Sequence, residues 1–141
     1  MNLVKVSAMV SSSNRPSITS NEPFFIFDTH GEWHATLISG CLWDARGDYI
    51  GFVRGANHDV YTAFGQWVGN LLPDGRIVRR RVYHRQPLLK IRKLCPPKPN
   101  NLPPRAPLPP LTADLGYQLI DVLEWDPEVF HNVPDLKDDL T

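Results

Sequence analysis

The sequence predicts an all-β fold: a small, barrel-like array of four quasi-repeated antiparallel β-hairpins, followed by an extended proline-rich tail and a short C-terminal element. Three observations predict it. The phrases FDTHGEWHATL (27–37), WDARGDYIGFV (43–53) and YTAFGQWVGNL (61–71) share one pattern: an aromatic, three residues, a glycine, one residue, a second aromatic. Side chains counted from those glycines match at offsets of two, four and six, the period of a strand rather than of a helix. Between Pro96 and Pro110, eight of fifteen residues are proline, which excludes helix and central strand and favours a polyproline II path.

Each hairpin has its own turn. Gly31, Gly47 and Gly65 stand at the tips of the first three, and Gly75 in LLPDGRIVRRR supplies a fourth. A glycine takes the positive φ that a tight hairpin needs, and Asp28, Asp44 and Asp74 are placed to hydrogen-bond the turn backbone. Gly75 follows Gly65 by only ten residues, so the third and fourth units are expected to share the strand from Trp67 to Leu72. A second class of turn, at Ser39-Gly40 and in RGANHD (54–59), joins one hairpin to the next. Ala35, Gly51 and Gly69 share one register, where small side chains let backbones or large rings approach closely. Glu32, Asp48, Gln66 and Arg76, each just after its turn glycine, are expected to face solvent.

The phrases FDTHGEWHA, WDARGDYIGFVRGA, YTAFGQWVG and PDGRIV, with the tail LLKIRKLCPPKPNNLPPRAPLPPL, resemble the four-fold beta-flower proteins of bacteria over roughly residues 24 to 125. The resemblance implies four β petals and transfers no activity and no catalytic residue. The first 22 residues, the acidic end after Trp125 and the strongly basic RIVRRRVYHR depart from it.

Four segments follow. Residues 1–21 are read as a disordered arm, 22–86 as the four-hairpin domain, 87–111 as a basic proline-rich extended segment and 112–141 as an acidic C-terminal segment. The formal net charge of zero conceals the division between the last two. Gly75 to Ala113 carries ten Lys or Arg and no acid, whereas Asp114 to Thr141 carries eight Asp or Glu and one Lys. In the acidic segment Thr112 is a candidate helix cap, with Leu115, Leu119, Ile120 and Leu123 on one helical face; a strand is the alternative. The tail is read as a spacer, as a segment that packs on its own domain or on a neighbour, because Leu88, Leu89, Ile91, Leu94, Leu102, Leu108 and Leu111 are apolar, or as an SH3-type ligand through PPRAPLPP.

No Ser-His-Asp order, phosphate-binding glycine loop or HExxH motif is present, so no nucleophile is nominated and catalysis is not predicted. No metal site and no cofactor is predicted either: a turn separates His30 from His34, and the recurrent aspartates are explained by turns. Cys41 and Cys95 lack metal-ligand spacing and are read as reduced thiols. The broken apolar run at the N-terminus makes a poor signal peptide, and no stretch reaches the ~18 apolar residues of a membrane span; the expectation is a cytoplasmic protein with no membrane partner.

The function expected is a non-catalytic binding or assembly module. The proline-rich and acidic tail docks on the β domain, on a sister subunit in a homo-oligomer, or on a protein partner, with Leu119, Leu123, Trp125 and Phe130 as docking residues. The alternative is nucleic acid or anionic small-ligand binding through Arg76, Arg79, Arg80, Arg81 and Arg85, with Trp67 and Tyr83 as stacking rings.

Overall fold

A single turn pattern organises the chain. In the computed structural model, which describes residues 22–89 and 97–131, Asp28 N donates to Glu32 O at 3.0 Å and Gly31 N to Asp28 O at 3.0 Å. The Asp28 carboxylate accepts from His30 N and Glu32 N at 2.9 and 3.0 Å. The same bonds recur around Asp44 and around Thr62, where a hydroxyl replaces the carboxylate. At the fourth turn the backbone pattern holds between Leu72, Gly75 and Arg76. Leu72 has no acceptor to offer there, and Asp74 takes the Arg76 N–H instead, at 3.0 Å. All four turn glycines have φ between 87° and 94°, a region that costs any residue with a Cβ.

With the tight turn at Ser39-Gly40, the turn at residues 55–58 and the tail, these turns link eight strands: β1 (Phe24–Phe27), β2 (Trp33–Ile38), β3 (Cys41–Trp43), β4 (Tyr49–Arg54), β5 (Asp59–Thr62), β6 (Trp67–Leu71), β7 (Ile77–Arg80) and β8 (Leu119–Asp121). They form one antiparallel sheet in sequence order, curled into a half-barrel. The register shifts just before three of the turns, between Ile26 and Phe27, Leu42 and Trp43, and Val60 and Tyr61. A bulge adds local twist, and three at equivalent places bend the sheet the same way. β6 pairs with both β5 and β7 and so serves two of the glycine turns.

The concave face carries Ile26, Ala35, Leu37, Leu42, Val53, Val60, Leu71 and Ile77, all buried in one aliphatic core. Its buried aromatic is Phe130, which comes from the C-terminal segment. Gly51 makes room for it: a Cβ there would collide with the Tyr61 carbonyl and stand 3.2 Å from the Phe130 ring. The hairpin aromatics lie outside this main cluster. They pair beside the turns instead, Phe25 with Trp33, Trp43 with Tyr49, Phe52 with Tyr61 and Trp67 with Tyr83.

The proline segment runs along its own domain. Leu89 N donates to Gly65 O at 3.1 Å. Leu102 packs on the buried cluster of Ile38, Cys41 and Trp43, and together with Lys98 it lies against Gly47. Pro109 covers Gly31, where a Cβ would lie 2.9 Å from its ring. The Ala113 carbonyl then accepts from Arg76 at 2.9 Å. The tail thus passes four glycine turns in succession before reaching β8.

β8 extends the sheet beyond the hairpin stretch 22–86 by pairing with β7. The helix α1 (Val122–Trp125) follows at once, and its N-cap is Asp121 rather than the expected Thr112. Leu119 and Ile120, expected on a helical face, belong to the strand. A 3₁₀ turn, Val129–His131, closes the described chain. The expected arm 1–21, residues 90–96 with Cys95, and residues 132–141 lie outside the described residues. No helix among the described residues is long and apolar enough to cross a membrane.

Candidate functional site

The arginines of RIVRRRVYHR divide at once by burial. Arg76, expected to face solvent and counted among the anion-binding residues, is 2% exposed. Its guanidinium holds Asp74 Oδ2 through Nε and Nη2 at 3.0 and 2.8 Å, and donates to Thr29 Oγ1 at 3.3 Å and to the Ala113 carbonyl. Buried guanidinium groups need such satisfaction, and here it joins the first turn, the fourth turn and the tail. Asp121 completes the junction. One carboxylate oxygen accepts from Thr29 N and Oγ1 at 2.6 and 2.7 Å, and the other caps α1 through Leu123 N and Glu124 N.

The arginines that follow emerge on the outer surface. Arg79 lies over the Tyr83 ring with Cζ 4.0 Å from its centroid, and Tyr83 is 6.0 Å from Trp67. Trp67 is fixed by its indole N–H, which donates to Asp59 at 3.1 Å. These residues line a cleft of about 500 Å³ with Val78, Arg80 and His84. Arg81 sits beyond the end of β7. Its backbone N donates to Gln118 O at 2.7 Å, and its Nε to Tyr117 O at 2.8 Å. Its guanidinium is 4.8 Å from the Tyr117 ring and 5.5 Å from the Trp125 ring. Arg80 and Arg85 are exposed. Guanidinium–ring contacts of this kind hold flat surfaces in fixed poses.

Of the residues proposed for docking, Leu123 and Phe130 are buried in the chain's own core and present nothing to a second molecule. Leu119 is half-buried opposite Arg80. Trp125 remains 61% exposed. Tyr117, 81% exposed beside Arg81, is the surface residue that the sequence does not single out, because nothing in its spacing links it to Arg81, thirty-six positions away. Thr29 and Asp121 are missed for the same reason, being brought together across ninety-two positions.

The histidines diverge. His30 Nε2 lies 2.9 Å from Glu124, while His34 Nε2 lies 2.9 Å from Asp28 Oδ2. Asp28, Glu32 and His34 offer ligand atoms within 4.8 Å of one another, the one group among the described residues with metal-ligand chemistry at that range. Both Asp28 oxygens are already engaged, by His34 and by the two turn amides. Burial raises the Asp28 carboxyl, but the His34 contact and the backbone N–H groups of Glu32 and His30 outweigh it and hold the group below the ordinary carboxylate value. Trp33, Trp43 and Trp67 sit in three separate ring pairs and do not enclose one common pocket. Cys41 is a buried thiol. No protein-family model, curated protein or solved structure is similar to this chain.

Proposed function

We propose that this chain is a non-catalytic, cytoplasmic binding module whose C-terminal segment docks on its own β domain and builds a contact face there. The face joins two neighbouring clusters along the end of β7, Arg79 on Tyr83 beside Arg80 and Arg81 with Tyr117 and Trp125. The observation that carries this reading lies within one short segment. Leu123 and Phe130 are buried and fix the segment in place, while Trp125 is left exposed against Arg81. A tryptophan and a tyrosine exposed against one arginine are typical of contact surfaces. The four turns, closed by one backbone pattern, support relating the chain to the beta-flower proteins.

Native mass spectrometry of gently purified full-length chain tests the reading, comparing the wild type with the Trp125→Ala, Arg81→Glu double variant. The wild type is expected to carry an added mass or to form a defined oligomer, and the variant to lose it at unchanged circular dichroism. Identical bare monomers for both would reject the face as a contact surface.

A further inference from the structure

We propose that the ligand of this face is single-stranded nucleic acid, its bases stacking on Trp125, Tyr117 and Tyr83 and its phosphates held by Arg79, Arg80 and Arg81. The inference rests on the binding-module reading above and names the ligand class for that same face.

The first argument is the placement of charge. Guanidinium groups sit directly against the rings, as a groove that tracks a phosphate backbone beside stacking platforms requires. Arg81 stands between Tyr117 and Trp125, and Arg79 lies on Tyr83. Alternating guanidinium groups and rings match a strand that alternates phosphates and bases. The second argument is exposure. Tyr83, Tyr117 and Trp125 are 44%, 81% and 61% exposed, yet each lies against an arginine. Every base has a π-face, so such platforms accept any sequence. The third argument is donor capacity. A guanidinium has five N–H donors; Tyr117 O takes Nε of Arg81 and Arg80 O takes one N–H of Arg79. The remaining edges suit phosphate oxygens, which pair with arginine more strongly than neutral acceptors do. The cleft lined by Arg79, Arg80 and Tyr83 has no carboxylate in its wall, while Asp114 and Glu124 stand in the cavity wall beside Arg81 and Trp125.

Rings select the single strand over the duplex, because stacked base pairs offer no face to an intercalated tyrosine or tryptophan without unstacking. DNA and RNA share the chemistry argued here, and the experiment separates them.

Fluorescence anisotropy on the full chain, with labelled twenty-nucleotide oligo-dT and oligo-U and a duplex of equal length, reads the affinity at 50 and 200 mM salt. Both or one of the single strands are expected to bind at least about tenfold tighter than the duplex. Three phosphate contacts predict roughly a twentyfold loss over that fourfold rise in salt. Tyr117→Ala with Trp125→Ala is expected to weaken binding about tenfold or more at an unchanged melting temperature. Arg46→Glu, a charge reversal on the exposed second turn outside the face, is expected to change it little. Equal affinity for duplex and single strand, insensitivity to removal of the two rings, or no binding at 50 mM salt would each overturn the proposal. If no oligonucleotide binds while native mass spectrometry retains a protein partner that Trp125→Ala, Arg81→Glu releases, the nucleic acid inference fails and the module reading stands. If both measurements are negative, the reading itself fails.

Discussion

Arg76 and Arg79 stand three positions apart in the same cationic run, yet one is buried on Asp74 and the other lies on a surface ring. Composition reveals the run; only the turn register reveals which guanidinium points inward, because Gly75 and Asp74 set that register. Asp28 is the complementary case, a carboxylate legible as a turn former that also engages His34 at 2.9 Å. Its folded pKa is lowered, so the stabilisation it provides is complete above the unfolded value near pH 4 and fades as pH falls through the lower folded value. Asp28→Asn is expected to cost about 1–2 kcal/mol at pH 7, with the gap to wild type narrowing as pH falls below the unfolded value. Urea midpoints across that range check it; a gap independent of pH would show that the charge contributes nothing.

At the scale of elements, glycine spacing and strand period locate the hairpins, since both arise from local stereochemistry. The third turn shows what local rules leave out. Thr62 does with a hydroxyl what Asp28 and Asp44 do with carboxylates, and the fourth turn moves its acceptor to Asp74. Thr62→Val keeps the shape and removes, at a side chain only 1% exposed, the acceptor of the Phe64 and Gln66 amides. The expected loss is about 1–2 kcal/mol, measured as a lowered denaturant midpoint with an unchanged m-value. Thr62→Asp is expected to retain the bonding pattern. The tail's route over the turns is not legible, because polyproline contacts carry no period, and β8 is legible only as the alternative to a helix, because a three-residue strand is defined by its partner β7.

For the whole molecule, the boundary read at residue 86 separates parts that share one core. Val122, Leu123 and Phe130 are buried among residues of β1 to β7. Losing one such large side chain costs about 2–5 kcal/mol, against a typical total stability of about 5–15 kcal/mol. A chain ending at residue 111 is expected to lose cooperative melting and near-ultraviolet dichroism. A sharp thermal transition in that truncation would show that the hairpins are self-sufficient.

The Asp121 carboxylate that accepts from Thr29 across ninety-two positions also fixes an order of events in time. At about 5–20 residues per second, roughly 5–20 seconds of synthesis separate the first turn from the residue that completes its hydrogen bonds. During that interval the early hairpins lack both β8 and the ring that fills their core. The nascent chain therefore folds as a late, whole-chain event, and whatever shields its half-made sheet in that interval must leave before the last strand arrives.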